Sequence, residues 1–135
     1  MPPSRLLLAA LAAVVASHAA VAQEQTVLRL ICQYTQAVDK DGKVSDSSGE
    51  RLFTVSFGKD GVAELKKEGL GAAFKGKVSE DEIVGNVTYS LGETTIEETV
   101  TINRFTGSLT ATYGAPGRGG LVFYGNCRNA AERLF

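Results

Sequence analysis

From Val27 onward, apolar side chains recur at every second residue in short runs separated by turn-forming residues. A period of two fits half-buried strands and excludes an amphipathic helical architecture. Leu28, Leu30, Cys32 and Tyr34 alternate with Arg29, Ile31, Gln33 and Thr35 in the first run. A polar loop over residues 39–49 separates it from a second run with Arg51, Phe53, Val55 and Phe57 on one face. Gly58-Lys59-Asp60-Gly61 has the composition of a hairpin turn, because Asp-Gly supplies the positive-φ position such turns need. A third strand over residues 62–67 leads through Gly69 to a fourth carrying Leu70, Ala72, Phe74 and Val78. Ile83, Val87 and Tyr89 mark a fifth, Ile96, Val100 and Ile102 a sixth, Leu109, Ala111 and Tyr113 a seventh, and residues 121–127 the last. Residues 128–135 alone read as helical, for two turns at most. The expected fold is all-β, an antiparallel up-and-down meander of about eight strands forming a curled sheet or a small barrel.

The two cysteines sharpen that expectation. Cys32 falls in the first strand and Cys127 in the last, with 94 residues between them. A meander that closes on itself sets its first and last strands side by side, where one disulfide can join them. A flat open sheet keeps these ends apart. No Cys-x-x-Cys spacing is present, so a structural bridge is the reading.

The compartment follows from the start of the chain. Arg5, the apolar run over residues 6–16 and Ala20-Val21-Ala22 before Gln23 have the order of a secretory signal peptide. Residues 1–22 are therefore expected to be removed, leaving a single β domain over residues 23–135, periplasmic or secreted. A disulfide belongs in such a compartment. Stable membrane insertion is not expected: the apolar run is shorter than the roughly 20 residues of a spanning helix, and several strands fall short of the roughly 9 to 11 residues a barrel span requires.

Removal of that segment also removes chemistry. The one histidine, His18, lies within it, and the chain has no tryptophan. The 14 Lys and Arg less Arg5 leave 13 against 15 Asp and Glu, a net charge of −2. Histidine-based catalysis and histidine metal sites are closed to the mature chain, and a strongly basic nucleic-acid surface is not expected. Asp39, Asp41, Ser45 and Glu50 occupy positions 1, 3, 7 and 12 of a calcium-type loop, but Lys43 and Val44 stand where an oxygen ligand and glycine are needed. A solvated hairpin loop is the expectation there, with no metal and no cofactor. Glu97 and Glu98 are adjacent on a strand, point to opposite faces and cannot share a substrate. No catalytic residue is expected.

Two places invite a binding reading. Glu98 is in phase with Ile96, Val100 and Ile102, and Arg51 with Phe53, Val55 and Phe57. An inward Glu98 and Arg51, with Tyr34, Tyr89 and Tyr113, would orient a ligand in a cavity. The simpler expectation is a bulge that turns Glu98 outward, or charges that reach water at a barrel mouth. The second place is the turn after Ile102, where Asn103 opens the hairpin, Gly107 takes the left-handed position, and Arg104 and Phe105 project as a contact for a partner.

The leader-like start, the first-strand cysteine, the Ile-Asn-Arg-x-Thr-Gly-x-Leu hairpin and the closing Gly125-Asn126-Cys127 resemble small secreted β-proteins of Gram-negative bacteria. That resemblance implies an exported β fold and no particular activity. The two-cysteine architecture is also similar to that of the periplasmic inhibitors of c-type lysozyme, whose Ser-Gly-x-x-Tyr segment has no counterpart placed in this chain. The functional expectation is a non-enzymatic binding module for a small apolar ligand or an envelope protein partner. The alternatives are a lysozyme-inhibitor-like protein and, further off, a carboxylate-dependent enzyme.

Overall fold

The computed structural model describes residues 24–116, 118 and 120–130. The leader-like segment and residues 131–135 of the expected terminal helix lie outside these. The described chain forms eight strands: β1 (Thr26–Val38), β2 (Val44–Phe57), β3 (Val62–Lys67), β4 (Phe74–Val78), β5 (Glu82–Leu91), β6 (Thr94–Asn103), β7 (Ser108–Gly114) and β8 (Gly120–Asn129). Each pairs antiparallel with its sequence neighbours, and β1 pairs with β8, so the meander closes into a barrel. Cys32 and Cys127 stand directly opposite each other in the β1–β8 ladder and are bonded.

The alternation places one apolar face inside. Leu30, Phe53, Val55, Leu65, Phe74, Ile83, Val100, Ile102 and Leu109 form one continuous core. The opposite face is polar, with Arg29, Lys66, Lys75, Thr88 and Thr112 exposed. That is the reverse of a membrane-spanning barrel, whose outward band is apolar. Strand β5 shows how the interior is filled: Gly85 lies between Ile83 and Val87, and a Cβ there would press within 3.1–3.2 Å of Phe74 and Leu65. The missing side chain at Gly85 makes room for two large ones.

Several boundaries differ from the sequence expectation. Strand β2 begins at Val44, not after Gly49, because Ser45 and Asp46 already pair with Ala37 and Gln36. Its polar composition reflects a hairpin arm extending past the apolar core. The turn before it spans only five residues, 39–43, with Asp39 Oδ1 accepting from the Asp41 and Lys43 N–H groups and Gly42 at φ 84°. The hairpin expectation for this acidic loop thus holds. Leu70 and Ala72 precede β4 in the connection from β3, where Gly69 at φ 90° and the Leu70 N–H to Lys67 carbonyl bond turn the chain. Arg128 and Asn129 continue β8 rather than opening a helix, since they pair with Ile31 and Leu30. The predicted turns at Gly61 and Gly107 form as expected, at φ 82° and 80°.

The ladder of β1 shifts between Tyr34 and Gln36 against both neighbours. This bulge returns Ala37 to the interior opposite Phe123, next to Tyr34. Bulges commonly re-aim side chains at barrel rims. Here it lies where the apolar core gives way to polar groups.

Candidate functional site

The polar groups gather at the barrel end that carries the β1–β2, β3–β4, β5–β6 and β7–β8 connections. Register explains the convergence. Arg51 opposes Cys32, Lys67 opposes Phe53, and Glu98 lies between Val87 and Tyr113, all on the inner face. Glu50 opposes Gln33 and takes the outer face instead.

Glu98 is completely buried, so the expected outward turn does not occur. Regular pairing of β6 with β5 and β7 through this position keeps the alternation intact. The compensation is Lys67, a residue whose role sequence reasoning missed. Lys67 Nζ donates to Glu98 Oε1 at 2.8 Å, to Oε2 at 2.7 Å and to the Tyr113 hydroxyl at 2.8 Å. All three ammonium donors are used. The Tyr89 hydroxyl donates to Glu98 Oε1 at 3.3 Å. Lys67 is in phase with Ala63 and Leu65 on β3, the same signal that singled out Glu98.

Above this pair lies an open cleft of about 350 Å³, lined by Tyr34, Ser47, Ser48, Arg51, Tyr113 and Phe123 among others. Tyr34 stacks with Phe123 at a centroid separation of 5.2 Å, and Tyr113 meets Phe123 edge-on at 5.3 Å. The Arg51 guanidinium lies 5.7 Å from the Tyr34 ring centroid and donates to the Glu50 carbonyl at 3.0 Å. Tyr34 is only 4% exposed, and its hydroxyl is buried without a hydrogen-bond partner. Burial raises the Tyr34 ionisation and Tyr113, its hydrogen-bonding neighbour, lowers it, although the two hydroxyls do not reach the geometry of a formed bond. Thus Tyr34, Tyr89, Tyr113, Glu98 and Arg51 share one end of the barrel, with Arg51 alone among them reaching well into water.

Burial is the main cause that raises the Tyr34, Tyr89 and Tyr113 ionisations, and the Glu98 carboxylate adds to it in each case. In the unfolded chain these phenols ionise near pH 10. The barrel holds them protonated beyond that pH, so the native chain binds more protons there, and stability that is complete below about pH 10 declines as the pH rises further. In an alkaline titration, tyrosinate absorbance from Tyr34 and Tyr113 should therefore grow together with loss of the circular dichroism of the fold. Their ionisation in a fully folded barrel would contradict this placement.

The other candidates are at the opposite end. Asn103 Oδ1 accepts from the Phe105 and Thr106 N–H groups, which fixes the β6–β7 turn. Arg104 folds back, donating to the Ser79 carbonyl at 2.6 Å and lying 5.8 Å from the Phe57 ring centroid. It braces two turns rather than projecting freely. Phe105 does project, 77% exposed. Among the described residues no three metal-ligating side chains converge. The chain matches no protein-family model, no curated protein and no solved structure.

Proposed function

We propose that the protein is an exported, non-enzymatic binding module that takes a small, largely apolar ligand at the mouth framed by Tyr34, Arg51 and Tyr113. The observation that carries this reading is the buried Tyr34 hydroxyl without a partner beside an open, aromatic-walled cleft. A buried polar group left unpaired costs about 1–3 kcal/mol, and a bound acceptor would remove that cost. The deeper interior is filled by Phe53, Phe74, Leu65 and Val100, which favours binding at the mouth over enclosure. Export, to the periplasm or beyond, is supported by the leader-like first residues and by the disulfide. A non-enzymatic role is supported by the engagement of Glu98 with Lys67 and by the protonated state of the three tyrosines, which leave no poised base at the mouth.

A protein partner in the envelope is the second reading, favoured by Phe105 standing exposed at a hairpin tip. Native mass spectrometry of the protein isolated from its own cell envelope separates the two. The first reading expects a small added mass that is lost on denaturation, whereas a stoichiometric protein complex with no small ligand would replace it. Nucleic acid is not a partner in either reading.

A further inference from the structure

Resting on the mouth as the binding site, we propose that its ligand is a small organic carboxylate, with the anionic head held by Arg51 and the Tyr34 hydroxyl and an apolar body against Phe123.

The charge of the cleft comes first. Lys67 and Glu98 neutralise each other below it, so among the described residues Arg51 is the one charged residue in the cleft lining. No carboxylate of the described residues forms an ion pair with Arg51, and its one hydrogen bond goes to the Glu50 carbonyl. A guanidinium has five N–H donors, which leaves most of this one unclaimed by the described residues. A fork of N–H donors matches a carboxylate in particular.

The second observation is independent of charge. Tyr34 is almost wholly buried, lines the cleft and has an unpartnered hydroxyl. A neutral phenol can donate one hydrogen bond, and a carboxylate oxygen is a strong acceptor for it. The cation and the donor stand together, since the Arg51 guanidinium lies over the Tyr34 ring. Such a pairing of one cation and one donor suits a monoanion. A phosphate dianion would bring two charges to a single cation.

The walls and the floor define the rest of the ligand. Phe123 and Leu121 are partly exposed and supply apolar contact, while Ser47 and Ser48 supply hydroxyls at the rim. About 350 Å³ suits a one- or two-ring body. The packed core beneath the ion pair stops a long acyl chain from threading the barrel.

The test is an NMR titration of the oxidised, exported protein with benzoate and 2-naphthoate, each beside its neutral amide. The acids should shift the resonances of Tyr34, Tyr113 and Phe123 and bind at least about tenfold more tightly than the amides, the size of one charge-assisted contact. Arg51→Gln should bring the acids down to the affinity of the amides, and Arg51→Lys should recover only part of the difference. Tyr34→Phe should weaken the acids several-fold while raising the thermal midpoint of the ligand-free protein, because it deletes a buried hydroxyl that nothing satisfies. A residue with only a structural role would not move these two readouts in opposite senses. Equal binding of acid and amide would overturn the carboxylate while leaving the mouth as a binding site. No response at Tyr34, Tyr113 and Phe123 to any of the four probes would overturn both.

Discussion

Replacing Cys32 and Cys127 together by alanine should lower the stability of the barrel by about 4–5 kcal/mol, the chain-entropy value for a loop of this length. The bridge spans 95 positions of sequence and joins the two strands whose pairing closes the sheet. Removing it frees the unfolded chain more than any other single change can. Equilibrium urea unfolding of the oxidised protein and the double variant measures the difference through the midpoint at comparable slope. A loss under about 1 kcal/mol would show that the β1–β8 ladder closes without help from the bridge.

Lys67→Met should cost about 3–5 kcal/mol, the usual penalty for stripping one partner from a buried pair. Glu98 has no exposed surface, and two of its three hydrogen bonds come from Lys67. The decisive comparison is the double variant Lys67→Met/Glu98→Leu. A paired loss of charge removes the uncompensated carboxylate, so the double variant should recover more than half of the loss. Full recovery is not expected, since the Tyr113 hydroxyl loses its Lys67 donor. Thermal and urea unfolding of the single and double variants give the coupling directly. If the double variant is as unstable as Lys67→Met alone, packing at position 67 rather than charge carries the effect.

Much of this fold is legible from local pattern. Alternation assigns the inner face of most strands, and the Gly61 and Gly107 turns follow from the need for positive φ; the bulge after Tyr34 shifts the phase of β1 in a way the pattern does not show. Closure was implied by two cysteines at the ends of a meander, a long-range relation that sequence seldom offers. The polar arm of β2 was hidden because strands that extend past a core need not be apolar, and only pairing with Ala37 and Gln36 reveals it. Glu98 shows the other limit. Its phase was readable, but a buried carboxylate is believable only with a partner, and Lys67 lies 31 residues away on a strand that does not neighbour β6. The same reasoning failed for Arg104, whose hold on the Ser79 carbonyl depends on two turns meeting in space.

The β1–β8 pairing also dictates an order of events. As the chain emerges from its N-terminus, β1 is the first strand made and its second partner, β8, the last, so one side of β1 stays open until the rest of the barrel has been synthesised. Sheet edges left waiting in this way are templates for pairing between chains. The hazard of this architecture is therefore a matter of timing: conditions that delay delivery of the final strand should favour aggregation even though the completed barrel has no free edge.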